Sequence, residues 1–230
     1  MFTRDNTNWQ QQAYVKVDSF QGNGAQFGHS VSLSADGNYL AASSFDSSAA
    51  TGVNGDQSVR KALNSGAVYL FLNENDTWHQ QAYLKASNTD DFGGSISLSG
   101  DGSILAVGAI GESSSASGLN GDQLENENYL ENSPGAVYVF VRRDQSWFQQ
   151  AYLKASNTGP AEEVCRTSIS TSEGFFFKDV SGDEFGTSLS LSEDGETLVV
   201  GAPLECSSAT GFGGDQTDNS APLSGAVYLY

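Results

Sequence analysis

Apolar and polar positions alternate strictly in three places along the chain, Ser30-Val-Ser-Leu-Ser34, Ser95-Ile-Ser-Leu-Ser99 and Ser188-Leu-Ser-Leu-Ser192. A period of two puts the aliphatic side chains on one face and small hydroxyls on the other, the mark of a strand whose sheet is packed closely on both sides. Each run is followed by an Asp-Gly pair, Asp36-Gly37, Asp101-Gly102 and Asp194-Gly195, which supplies the positive-φ positions of a hairpin turn. Short apolar runs come next, Leu40-Ala-Ala42, Leu105-Ala-Val107 and Leu198-Val-Val200, as expected for a buried strand. A third strand reads Gly66-Ala-Val-Tyr-Leu-Phe71, Gly135-Ala-Val-Tyr-Val-Phe140 and Gly225-Ala-Val-Tyr-Leu-Tyr230. No stretch shows a helical period.

The fourth strand of each unit opens on tryptophan. Trp9, Trp78 and Trp147 lie 69 residues apart twice over and begin one phrase, Trp-x-Gln-Gln-Ala-Tyr-(Val/Leu)-Lys, ending at Lys16, Lys85 and Lys154. Counted from tryptophan, the repeats run approximately 9–77, 78–146 and 147–230. Four antiparallel strands recurring at this spacing predict an all-β chain built of β-propeller blades, one propeller segment over 1–230. A sandwich would not need the same four-strand unit three times, and an isolated four-strand sheet of this length buries too little to stand alone.

Composition narrows the function classes. With 28 acidic and 10 basic residues the net charge is -18, and the basic residues are scattered, so no phosphate-tracking surface for nucleic acid can be assembled. The same deficit argues against an anionic membrane surface, and no run of 18 apolar residues suggests membrane insertion. Met1 to Asn6 lacks the apolar stretch of a secretory signal. Two cysteines, Cys165 and Cys206, have no metal-ligand spacing. Glycine, at 26 residues against about 16 at usual usage, points to many tight turns.

Phe27-Gly28, Phe92-Gly93 and Phe185-Gly186 before the first strand, Val200-Gly201-Ala202-Pro203 at the end of the second, and the Gly-Ala-Val-Tyr strands together resemble the FG-GAP repeat that builds the propeller of integrin alpha chains. The Gln-Gln-Ala-Tyr-Leu-Lys-Ala-Ser-Asn phrase and the Asn-Gly-Asp-Gln loop are similar to the prokaryotic variety of large secreted and surface proteins. The resemblance implies an extracellular or cell-surface setting and a non-enzymatic recognition or adhesion module, whose partner is a protein or glycan ligand on the propeller rim. A structural spacer within a larger surface protein is the alternative.

Integrin-type repeats often hold calcium in the first hairpin with an Asp-x-Asp-x-Asp-Gly cage. The turns here offer one aspartate each, or one plus Glu193, whereas calcium takes six to eight oxygens, so no cofactor is expected there. The segments joining second and third strands, about 43–65, 109–134 and 203–224, are long and carry matched pairs of acids: Asp46 with Asp56, Glu112 with Asp122, and Glu205 with Asp215. Such a pair suits either a hard cation held with backbone carbonyls or a hydrogen-bond network inside the loop, and the network is favoured.

The third repeat is longer. Tryptophan and Phe-Gly are 18, 14 and 38 residues apart in the three copies, so a connection between blades has gained about twenty residues, including Cys165 and Phe175-Phe176-Phe177. In the propeller that the resemblance implies, this connection and the loop bearing Cys206 share a rim, which gives a Cys165–Cys206 disulfide a geometric rationale. Three consecutive phenylalanines in an extended segment cannot all be buried, which allows a partner contact. His29 and His79 occupy non-repeated positions, and no serine or acid is singled out for catalysis, so an enzyme is not expected. Three blades are also fewer than the four to eight that close a ring. The expectation is a segment of a longer propeller, by the resemblance seven-bladed, or a ring completed by self-association.

Overall fold

The computed structural model describes residues 1–17, 24–58, 61–62, 64–87, 91–123, 133–158, 165–171, 174–180 and 182–230, with backbone alone described in 165–171 and 174–180. Fifteen strands occur and no helix among the described residues. They are β1 (Phe2–Asp5), β2 (Asn8–Gln11), β3 (Val31–Leu33), β4 (Tyr39–Ser44), β5 (Ala67–Glu74), β6 (Thr77–Leu84), β7 (Phe92–Leu98), β8 (Ile104–Ala109), β9 (Ala136–Arg143), β10 (Ser146–Leu153), β11 (Cys165–Thr171), β12 (Gly174–Val180), β13 (Ser188–Leu191), β14 (Leu198–Ala202) and β15 (Ala226–Leu229).

Three antiparallel meanders form the body: β3-β4-β5-β6, β7-β8-β9-β10 and β13-β14-β15. These are propeller-type blades, the first two with four strands and the third with three. The tryptophan-to-tryptophan period is out of phase with them, because each tryptophan stands in the last strand of its own sheet. The β1–β2 hairpin repeats the tip of the β5–β6 hairpin: Phe2 faces Gln11 and Arg4 faces Trp9, as Phe71 faces Gln80 and Asn73 faces Trp78. The added residues of the third repeat, expected as a loop, form the β11–β12 hairpin, in which Phe175, Phe176 and Phe177 pair with Ser170, Ile169 and Ser168. Their side chains, and that of Cys165, lie outside the described residues.

One aromatic triad recurs in every blade. The Phe-Gly phenylalanine meets the Tyr and the Phe or Tyr of its own third strand edge to face: Phe27 with Tyr69 and Phe71, Phe92 with Tyr138 and Phe140, Phe185 with Tyr228 and Tyr230, at ring separations of 5.3–6.1 Å. Phe92 and Phe185 are fully buried, so each triad adds ring–ring attraction to apolar burial.

The small residues of the repeat let neighbouring blades touch by backbone. Gly66 and Gly135 form parallel bridges to Phe92 and Phe185 of the next blade. A Cβ on Gly135 would lie 2.2 Å from the Phe185 carbonyl oxygen, and its φ of 78° is itself unfavourable for any other residue. The hydroxyl face of the alternating strands does the rest. Ser32 Oγ accepts from the Leu98 amide at 3.0 Å, Ser97 Oγ accepts from the Leu191 amide at 2.9 Å, and Ser95 Oγ donates to the Gly186 carbonyl at 2.6 Å. Arg142 adds a cation–π contact from the second blade onto Tyr39 of the first, 4.3 Å from the ring centre.

If these close approaches hold the blades together, Gly135→Ala destabilises the protein by about 3 kcal/mol or more, combining backbone strain and overlap. Gly118, also at positive φ but with nothing within 4 Å, serves as control, and Gly118→Ala costs about 1 kcal/mol. Urea denaturation of the two variants checks this; equal losses would show that only dihedral strain is at stake.

Candidate functional site

Each loop between second and third strands begins with an acid that the fold places under the loop rather than at its surface. Asp46, Glu112 and Glu205 are all buried. Their carboxylates first fasten their own turns: Asp46 accepts from the Ser48 amide at 2.7 Å, Glu112 from the Ser114 amide at 3.0 Å and Glu205 from the Ser207 amide at 3.1 Å.

The same acids then receive donors from the fourth strand. Tyr83 Oη donates to Asp46 at 2.8 Å and Lys85 Nζ stands 3.5 Å from it, also bonded to Ser65 Oγ. In the second blade Lys154 pairs with Glu112, and Tyr152 Oη lies 2.7 Å from Ser114 Oγ. Both lysines are as buried as the acids they meet. Burial lowers their pKa values, while the facing carboxylate works in the opposite sense. Tyr152 is raised by burial and by the Glu112 charge. Glu205 instead accepts from Asn157 Nδ2 at 3.0 Å, while Tyr228 Oη donates to Asn157 Oδ1 at 2.6 Å. Among the described residues no ammonium pairs with it.

The backbone ties loop to strand as well. Asn54, in the left-handed region at φ 54°, donates its amide to the Tyr83 carbonyl and accepts the Tyr83 amide on Oδ1; Lys85 N donates to Gly52 O. Asn120 repeats all three bonds with Tyr152, Lys154 and Gly118. Val53 and Leu119 thereby bridge to Leu84 and Leu153, so the loop behaves as a short fifth strand. The glutamines of the same motif tie neighbouring blades: Gln123 Oε1 accepts from Ser87 Oγ and Gln216 Oε1 from Ser156 Oγ.

The second acid of each pair has a different setting. Asp56, Asp122 and Asp215 are exposed. Asp56 accepts from the Ser58 amide at 2.8 Å and Asp215 from the Thr217 amide and hydroxyl at 2.9 and 2.7 Å, and these bonds lower both carboxyl pKa values. The matched acids therefore divide into a buried clasp and an exposed tip. Cys206 is buried on the third loop and is not a free thiol.

The hairpin aspartates are turn-builders. Asp36 accepts from Ser34 Oγ at 2.6 Å and from the Asn38 amide at 2.9 Å; Asp101 accepts from Ser99 Oγ at 2.7 Å and from the Ser103 amide and hydroxyl. These donors lower both carboxyl groups. The three turns stack through Ala35 N to Gly100 O and Gly100 N to Glu193 O, both at 2.8 Å, around a shallow cavity lined also by Asp194. Among the described residues no three His, Cys, Asp or Glu side chains form a metal-binding group. His29 packs against the Phe45 ring and His79 lies on β6.

Sequence reasoning paired the acids with one another; the repeated lysine and second tyrosine were visible as a phrase but not as partners. Compared with protein families, residues 179–230 fit the family model described as FG-GAP repeat. No curated protein matches the chain.

Removing one member of the clasp strands a buried charge. Lys154→Met is therefore expected to cost about 3–5 kcal/mol in chemical denaturation, and Glu112→Gln/Lys154→Met substantially less. A double variant no more stable than the single would refute the pairing. Asp183 gives a pH signature. Burial, then the Glu205 charge, raise it from 3.8 to about 6 although Lys154 opposes them. The folded state thus binds this proton more tightly than the unfolded state, and its destabilising effect is absent below about pH 4 and complete above about 6. Wild type minus Asp183→Asn should lose stability as pH rises through that window; parallel profiles would contradict it.

Proposed function

We propose that this chain, an FG-GAP repeat protein by the match over its third repeat, is a non-enzymatic extracellular recognition module that engages a protein or glycan ligand through the rim formed by its three second-to-third-strand loops. The observation that carries the reading is the construction of those loops. The first two are fastened at the base by a buried acid, a tyrosine, a lysine and a ladder of backbone bonds, and all three present an aspartate, Asp56, Asp122 or Asp215, to solvent. Long loops held on a rigid scaffold lose little entropy on binding.

The buried titratable groups support the absence of catalysis in this reading, since the lysines and acids of the first two blades are engaged with one another. The Cys165–Cys206 disulfide belongs to the same proposal, as it joins the β11–β12 hairpin to the third loop and suits an oxidising, extracellular setting. The Phe175-Phe176-Phe177 run is retained as a second contact surface.

Binding to a glycan array and to a panel of cell-surface proteins tests the proposal. Replacing Asp56, Asp122 and Asp215 by Asn should weaken a retained ligand at least tenfold while moving stability by no more than about 0.5 kcal/mol per site, as for exposed substitutions. Unchanged binding would remove the rim from the account, and no binding by the native protein would favour a spacer. Mass mapping of unreduced peptides should show Cys165 linked to Cys206; two free thiols would overturn that part.

A further inference from the structure

The aspartates of the hairpin turns and the asparagines of the loop bases use their hydrogen-bonding capacity inside the fold. One place departs from that rule. Between the first and second blades lies a cavity of about 510 Å³ whose lining includes Gln26, His29, Phe45, Asn64, Asp91 and Ile110. Among the described residues no hydrogen bond reaches the side chain of Gln26, His29, Asn64 or Asp91. Asp91 is half-buried, and burial raises its carboxyl pKa with no donor or cation acting against it.

The walls around these groups are fixed. Phe45 N and Ser44 Oγ both donate to the Ala25 carbonyl at 2.7 Å, and His29 N donates to the Gln26 carbonyl at 3.1 Å, which holds the turn from Ala25 to His29 against the end of β4. Where the first loop returns to β5, Gly66 N donates to Asp46 O at 3.1 Å and Phe92 N to Ser65 O at 3.3 Å, so the neighbours of Asn64 and Asp91 are bonded to each other across the junction. A site preformed in this way loses little freedom on binding. His29 and Phe45 are also peculiar to this junction. Gly94 and Thr187 take the place of the histidine in the other blades, and Ile110 and Pro203 that of the phenylalanine. What the blade itself requires recurs in each copy, and this pair does not. Their rings lie 4.6 Å apart at 46° and give the cavity an aromatic wall.

We infer that this cavity binds one neutral pyranose ring, with Phe45 and His29 taking its C–H face and Asp91, Gln26 and Asn64 its hydroxyls. The volume falls among small-molecule sites, which run from about 300 to 1,000 Å³. The C–H bonds of a pyranose turn partial positive charge towards an electron-rich ring face, and each hydroxyl both donates and accepts, which a carboxylate and two amides can match. A phosphate or carboxylate ligand is disfavoured, since no lysine or arginine lines the cavity and Asp91 would repel it. An organic cation would use Asp91 and the Phe45 face but leave the amide N–H donors of Gln26 and Asn64 idle. The inference stands apart from the rim reading, because the cavity lies where the first loop leaves β4 and returns to β5 and shares no residue with the exposed tips.

Methyl glycosides of glucose, galactose, mannose and N-acetylglucosamine, titrated singly into the intact chain and followed by calorimetry or ligand-observed NMR, test it. At least one should bind. The other blades supply changes that the repeat already accommodates, Phe45→Ile and His29→Thr. These two, and Asp91→Asn, should each weaken that glycoside at least tenfold while leaving the urea midpoint near that of the native chain. Asparagine tolerates the left-handed φ of 48° at Asp91. Asp144→Asn makes the same change at the same φ on an exposed turn away from the cavity and should leave binding unchanged. Binding lost on Asp56→Asn but kept on Phe45→Ile would put the sugar on the rim and overturn the inference. No binding by any of the glycosides, binding of tetramethylammonium in their place, or a glycoside indifferent to both Phe45→Ile and Asp91→Asn would overturn it as well.

Discussion

A carboxylate buried beneath a surface loop, facing a lysine buried on the neighbouring strand, is the constraint from which the rest of this molecule follows. Taking two charges out of water costs several kcal/mol per ion, and their attraction recovers this only where geometry is good and the remaining lone pairs and protons are bonded. The first two blades meet that condition through the Ser48 and Ser114 amides, the tyrosines and the Ser65 hydroxyl. The arrangement selects one register. A fourth strand shifted by one residue would send its lysine to the opposite face and leave the acid uncompensated.

Fastening the loops this way explains how the described base of each long connection is held to its sheet. The loop base joins the sheet as a bridge to Leu84 or Leu153, and its glutamine reaches the linker of the preceding blade in the second and third copies. Blade contacts rest on the same economy of small residues. Glycine admits the neighbouring carbonyl and serine accepts the neighbouring amide, so adjacent sheets approach closely without orphaning the polar groups they bury. In the first two blades the exposed tips are then carried on a scaffold whose buried acids are each paired with a lysine.

Much of this was legible in the sequence. The period-two runs and Asp-Gly turns located β3, β7 and β13 with their partners, and Gly-Ala-Val-Tyr located β5, β9 and β15. Trp9 to Gln11 of β2 belong to the repeated fourth-strand phrase. What escaped was tertiary. Asp46 and Lys85 are 39 residues apart and Glu112 and Lys154 are 42 apart, and no local pattern links an acid opening a loop to a lysine closing a later strand. The added segment of the third repeat read as loop because Cys165 and the phenylalanine run dominated its composition, whereas the alternation through Ser168, Ile169 and Ser170 is a strand signal in hindsight. The fifth-strand role of Asn54 and Asn120 was masked by the habit of reading Asn-Gly as a turn alone.

Native-state hydrogen exchange measures the central claim most directly. If the clasp makes each closed loop part of its blade, the amides of Asn54, Lys85, Asn120 and Lys154 should open only with the body of the sheet, showing the same exchange free energy as core amides of β8 and β9. In the third loop, beside which no fourth strand lies among the described residues, the amides of Thr217 and Ser220, held only by aspartate side chains, should exchange far faster. Loop amides of the first two blades exchanging as readily as those of the third would contradict the account, since the buried pairs would then be holding nothing in place.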